Sequence, residues 1–156
     1  MEYKNFLECD MDSVCEFILD NHRNNQQVVS MYTFSRMVSE RLRGNIETGI
    51  ACIADGKVVG VITAITANKQ NYWAIGVLYV DEEYRNKGIA KNLVEELEKS
   101  IAENCHSNFK VNISVNKSNE PIAKVFDYKD YLVEGCIKGL VSEDDMVIMG
   151  KIRQVV

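Results

Sequence analysis

Residues 85–91 read Arg-Asn-Lys-Gly-Ile-Ala-Lys. Arg85, Lys87 and Lys91 supply three positive charges with no acid among them, in a chain whose formal charge is −5. The stretch lies where the apolar run Tyr72 to Val80 gives way to a helical periodicity. A helix N-terminus presents unpaired backbone N–H groups and a partial positive charge. Gly88 has no side chain, so an anion can come close to those groups. Asn86, Ile89 and Ala90 complete the loop and first turn of a candidate phosphate site. A basic, solvated helix start accounts for the same residues equally well at this point. The motif G-x-x-x-x-G-K-[ST] is absent, and so is G-x-G-x-x-G. That excludes a P-loop and the dinucleotide fingerprint.

The elements that must hold this stretch are legible from periodicity. Tyr3 to Glu8 predicts a short strand. Met11, Val14, Cys15 and Ile18 share one helical face, with Asp10, Asp12 or Ser13 as cap and Ser13-x-x-Glu16 as a capping box. A polar break spans Asn21 to Gln27, and Thr33 to Leu42 predicts a second helix stopped at Gly44. Gly49 to Ala54 and Lys57 to Ala67 flank Asp55-Gly56, a two-residue hairpin turn. After a polar gap at 68–71, Tyr72 to Val80 is apolar without alternation, which predicts a central strand buried on both faces. Ile89, Leu93, Leu97 and Ile101 predict a long helix from about Lys87 to Asn104. Lys110 to Val115 alternates as a strand, Pro121 opens a helix reaching about Tyr128, and Leu132 to Ile137 and Met146 to Ile152 close the sheet. The order is β-α-α-β-β-β-α-β-α-β-β, an α/β (α+β) fold with one mixed sheet flanked by helices.

Composition bounds the function. The chain has 156 residues, 46% of them apolar and 26% charged, so a single domain spanning 1–156 is expected. An acidic balance argues against nucleic-acid binding. Five cysteines without C-x-x-C spacing, and two histidines, predict reduced thiols and no metal site. No 18-residue apolar run and no secretory h-region are present, so no membrane partner and a cytoplasmic location are expected.

Arg85-x-x-Gly88-x-Ala90 resembles the R/Q-x-x-G-x-G/A pyrophosphate motif of the GCN5-related N-acetyltransferase (GNAT) superfamily. Leu78-Tyr79-Val80 and Tyr84 are similar to the strand and loop that precede it, and Asn119 to Tyr131 to the N-x-x-A-x-x-x-Y-x-K-x-G-F segment that follows. The resemblance covers nearly the whole chain and implies a mostly antiparallel central sheet. It also implies transfer of an acetyl group from acetyl-coenzyme A to a primary amine, with no metal.

On this resemblance, residues Arg85 to Lys91 hold the diphosphate. The backbone of Leu78 and Val80 pairs with the pantetheine arm, and Asn119 contacts that arm. The strand before the motif must then splay from Lys110 to Val115, and Gly76 is compatible with a bulge there, or with tight packing on a helix. A backbone amide near Val77 or Leu78 is the candidate donor to the thioester oxygen. Three positions depart from the pattern. The Tyr that serves as general acid falls on Phe126, which the resemblance still places among the coenzyme-binding residues, and the Gly-Phe pair falls on Asp130-Tyr131. Tyr128 is the replacement acid candidate. Tyr72 to Val80 holds no Glu or Asp, which leaves Glu16, Asp20 and His22 as candidate bases. A small-molecule acceptor attacked directly in a ternary complex is expected, and the acidic run Glu143 to Asp145 suits a cationic one. A protein or peptide acceptor, and a coenzyme A-binding module without catalysis, are the alternatives. A homodimer is compatible with exposed apolar strand ends.

Overall fold

The computed structural model describes residues 1–68, 71–141 and 143–154. Among the described residues, the strands are β1 (Glu2–Asn5), β2 (Glu47–Ala54), β3 (Lys57–Asn68), β4 (Tyr72–Val80), β5 (Phe109–Asn116), β6 (Leu132–Val141) and β7 (Asp144–Arg153). They form one seven-stranded sheet in the order β1-β2-β3-β4-β5-β7-β6. The β4–β5 pair is parallel and the other neighbours are antiparallel, so the sheet is mixed and mostly antiparallel, as expected. The helices are α1 (Met11–Asn21), α2 (Gln26–Tyr32), α3 (Ser35–Arg43), α4 (Ile89–Asn104) and α5 (Glu120–Tyr128).

Two apolar clusters divide the core. On one face, Ile89, Leu93, Leu97 and Ile101 of α4 pack with Phe126 of α5 on Trp73, Ile75, Val111 and Ile113. On the other, Val14 and Ile18 of α1, Tyr32 of α2 and Val38 and Leu42 of α3 pack on Ala51, Val61 and Val77. That second cluster contains no residue of β5, β6 or β7. Strands β5 and β7 are therefore helix-covered on the α4 side and open on the other.

Several sequence expectations need correction. The first strand ends at Asn5, and Phe6–Glu8 is a 3₁₀ turn, because Asn5 and Glu8 form a reciprocal capping box there. No such box forms at Ser13: α1 starts at Met11, and the Ser13 hydroxyl donates to Asp10 Oδ2 at 2.6 Å. The supposed break holds the start of a helix. Asn25 Oδ1 accepts from the N–H groups of Gln27 and Val28 and so starts α2, whose Val28 and Tyr32 are buried one turn apart. The next helix runs Ser35–Arg43, and α4 begins at Ile89. Of the polar gap 68–71, residues 69 and 70 lie outside the described residues.

The central strand is not buried on both faces along its length. Trp73, Ile75 and Val77 are buried, whereas Tyr72 and Gly76 are exposed. A bulge explains the missing alternation: Ala64 pairs with Ile75 and Thr63 with Val77, which leaves Gly76 as the extra residue. One inserted residue reverses the facing of everything after it. Trp73 and Ile75 accordingly join the α4 cluster and Val77 the α1–α3 cluster.

Candidate active site

The β4–β5 ladder is short. It runs from Tyr72↔Lys110 through Trp73↔Val111 to Ala74↔Asn112 and stops. Strand β4 continues to Val80, paired only with β3 on its other side. The strands part immediately before the Gly76 bulge. Beyond that point one edge of β4, Ile75 to Val80, faces a gap, which is the splay that the pantetheine contact requires. Leu78 and Val80 turn half-buried side chains to the α4 cluster, and Tyr79 turns to the α1–α3 cluster.

The far end of β4 delivers the chain to the basic stretch. A 3₁₀ turn at Glu82–Tyr84 leads to Arg85. Asn86 and Gly88 both take left-handed backbone angles, with φ of 62° and 79°. Gly88 is the N-cap of α4 and is not capped by any side chain, and the first turn carries no acid. The first intrahelical bond runs from Asn92 N–H to the Gly88 carbonyl at 3.1 Å. The N–H groups of Ile89, Ala90 and Lys91 therefore precede the helical ladder and are available to an anion. A Cβ on Gly88 would meet no atom within 4 Å, so the space above the turn is open.

The three cations are held differently. Arg85 folds back on β4, donating from Nε to the Val80 carbonyl at 3.1 Å and from a terminal nitrogen to Tyr79 Oη at 3.4 Å. Lys87 Nζ lies 5.0 Å above the Tyr84 ring and Lys91 Nζ 4.0 Å above the Tyr128 ring. Tyr128, 68% exposed, thus stands beside the first turn of α4, at the anion end.

Phe126 corrects a sequence expectation. It is fully buried, edge-on to Tyr131 at 4.9 Å between ring centroids, and presents no surface to a ligand. Asp130 has φ of 67°, so it fills with a carboxylate side chain the left-handed position where the resembling pattern has Gly. Asn119 is the N-cap of α5, its Oδ1 accepting from Ile122 N–H at 3.4 Å.

Of the three candidate bases, only His22 lies against β4. Its ring meets Tyr79 edge-on at 5.3 Å, and its Nδ1 is 3.3 Å from the Ile18 carbonyl. An Nδ1–H donated there leaves Nε2 as the basic nitrogen. Glu16 and Asp20 instead line a groove of about 430 Å³ between α1 and the α2–α3 elbow, with Asp12 and Phe34.

Sequence reasoning missed two polar groups near the fork. Thr63, fully buried beneath Gly76, shares the Tyr32 hydroxyl with Glu47, and Arg41 Nε donates to Glu47 at 2.7 Å. Burial and the Glu47 charge push the Tyr32 hydroxyl far above its ordinary pKa. On the open face, Asn112 Nδ2 donates to Glu134 Oε1 at 2.6 Å, and Lys110 also pairs with Glu134. Nothing in a linear reading pairs a residue at 112 with one at 134, because the contact crosses β7.

The Acetyltransferase (GNAT) family model matches residues 11–127. The chain belongs to the GNAT acetyltransferase family, whose members are acyl-coenzyme A-dependent N-acetyltransferases that use acetyl-coenzyme A. A search of curated proteins finds no match. Among solved structures, the chain is similar to a ribosomal-protein-alanine N-acetyltransferase from Brucella melitensis, at 16% identity and a TM-score of 0.80, over 98% of this chain and 100% of that one. It is also similar to the aminoglycoside 6′-N-acetyltransferase from Enterococcus faecium, at 16% identity and a TM-score of 0.72, over 97% of each chain. A candidate streptothricin acetyltransferase of Bacillus anthracis, solved with acetyl coenzyme A, matches at 16% identity and a TM-score of 0.59, over 67% of this chain and 61% of that one. At these identities the likeness is one of fold.

Proposed function

We infer that this chain, acting as one catalytic domain in the cytoplasm, moves an acetyl group from acetyl-coenzyme A to a primary amine of a small molecule by direct attack. The observation that carries the reading is the fork: β4 loses its β5 partner after Ala74 yet runs on to Val80, and then to an uncapped, acid-free helix start. The backbone donors of Ile89 to Lys91 and the ammonium groups of Lys87 and Lys91 bind the diphosphate. Arg85, tied to the Val80 carbonyl, joins that site to the strand edge. The edge from Ile75 to Val80 binds the amide-rich arm as an added strand would.

A backbone N–H at Val77 or Leu78, next to the Gly76 bulge, stabilises the oxyanion as the amine nitrogen bonds to the carbonyl carbon. The C–S bond then breaks and the coenzyme leaves as thiolate. Thiol groups have an ordinary pKa of about 8.5, so departure needs no protein acid. That suits a site in which Phe126 is buried and Tyr128 stands with Lys91. His22 Nε2 takes the proton of the attacking amine, directly or through water.

The likeness to the Enterococcus aminoglycoside enzyme supports a small acceptor, and that to the Brucella ribosomal-protein-alanine enzyme favours a protein or peptide acceptor as the second reading. Thiol release from acetyl-coenzyme A, measured across polyamines, aminoglycosides, amino acids and peptides, tests the function. Release that depends on a small amine supports the first reading, and release only with peptides replaces it by the second. A protein that binds acetyl-coenzyme A but releases no thiol with any of them contradicts both.

A further inference from the structure

The acceptor must reach the fork from one side. On the α4 side the space beside β5 is filled by buried Val111, Ile113, Val115 and Phe126. On the opposite side the α1–α3 cluster stops at β4, so the surface of β5, β7 and β6 lies open next to the point where the strands part. The residues turned to that open face are set by the register. Asn112 is opposite Gly150 of β7, which in turn is opposite Leu132 of β6.

A charged side chain has been brought to this place. Glu134 is the extra residue of a register shift between Val133 and Gly135. Its carboxylate crosses β7 to meet Asn112 and Lys110 on β5. The crossing is open only because position 150 is glycine: a Cβ there would lie 2.4 Å from Glu134 Oε1 and 2.5 Å from Asn112 Nδ2. Asn112 is itself held, 8% exposed, by a second bond to the Met149 carbonyl at 3.1 Å. It is also the last β5 residue paired with β4. The open face beside the fork thus carries, over β7, a fixed carboxylate that β4 itself lacks.

We propose that Glu134 anchors a second ammonium group of the acceptor, so that the enzyme selects diamines over monoamines. The inference rests on the acetyl-transfer reading above. An arm laid along β4 from Val80 reaches Gly76 after about 13 Å of strand, and the Ala74–Asn112 pair lies about 7 Å further on. The Glu134 carboxylate lies over Gly150 of β7, two strands across from β4, so an ammonium held there sits about 9–12 Å from a reacting amine at the bulge, the separation that a chain of six to eight carbons gives. Lys110 and Asn112 occupy part of the carboxylate, which has about four lone-pair sites and keeps room for a further donor. Lys110 is the cation that competes for Glu134, and Tyr72 is its neighbour across the ladder.

The test is calorimetric titration of 1,7-diaminoheptane and of heptylamine into the protein saturated with coenzyme A. The wild type is expected to bind the diamine at least tenfold more tightly than the monoamine. Glu134→Gln, which keeps the shape of the side chain, removes that preference and leaves coenzyme A affinity unchanged. Lys110→Met, which frees the carboxylate, strengthens diamine binding. No preference in the wild type, a preference that survives in Glu134→Gln, or weaker diamine binding in Lys110→Met overturns the proposal. Failure of the wild type to bind coenzyme A would instead overturn the fork reading on which it rests.

Discussion

Replacing Gly88 by Glu separates the cost of a backbone angle from the cost of a charge. The residue is held at φ of 79° with nothing within 4 Å of a built Cβ, so the new side chain meets no steric barrier. Holding a non-glycine residue in the left-handed region costs about 1–2 kcal/mol. A carboxylate at a helix N-terminus recovers about 0.3–1 kcal/mol. The net destabilisation is about 1 kcal/mol, which for a chain of this length lowers the Tm by about 2–4 °C. The effect on the coenzyme is larger. A carboxylate about 5 Å from a phosphate charge, at an effective dielectric near 20, repels it by about 3 kcal/mol. That corresponds to roughly a hundredfold loss of affinity. Gly88→Ala carries the backbone cost without the charge and should lose less than tenfold. Titration calorimetry with acetyl-coenzyme A, beside thermal melts of both variants, measures the two effects. Wild-type affinity in Gly88→Glu would refute the phosphate site. Equal losses in Glu and Ala would refute the electrostatic reasoning and leave backbone geometry as the cause.

Restoring the tyrosine of the family pattern should not help. Phe126→Tyr buries a hydroxyl in a filled core, costs about 1–3 kcal/mol in chemical denaturation and does not raise kcat. A rise in kcat would show that the ring reaches the thioester. Thiol titration near neutral pH should modify exposed Cys136 first, while Cys15, whose pKa burial pushes up to about 11, reacts only on unfolding. Peptide mapping checks the order. Lys110 and Asn112 hold the Glu134 carboxyl below its ordinary value of 4.5. Its contribution to stability is therefore complete above that value and is lost as pH falls through the lower folded-state value. Glu134→Gln should narrow the stability difference between about pH 7 and pH 3 in urea denaturation, and an unchanged difference would show that the pair contributes nothing.

Much of the fold was legible because it rests on local rules. The Asp55-Gly56 turn has φ of 50° and 76°, as a two-residue hairpin loop demands. The four-residue spacing in α4 became its buried stripe. The basic stretch and Gly88 were found from charge and from the absence of a side chain. What escaped depends on distant partners. The second helix was hidden because Asn25 reads equally as a break and as a cap. The lack of alternation in β4 reads as burial on both faces, yet it marks a bulge that swaps faces midway. The Glu134 contact depends on a glycine of the next strand, Gly150, and on Asn112 beyond it, which no spacing rule connects to it. Phe126 and Tyr128 were placed by a motif, and only packing showed that one is sealed in the core and the other stands at the anion end.

The central claim is that acetyl-coenzyme A occupies the gap where β4 has lost β5. Amide hydrogen exchange, resolved by residue with and without acetyl-coenzyme A, tests it directly. The account predicts new protection along Ile75 to Val80 and across Asn86 to Lys91, with little change in β1, β2 or the outer face of α3. Protection confined to another part of the molecule, or none at a saturating concentration, would contradict it.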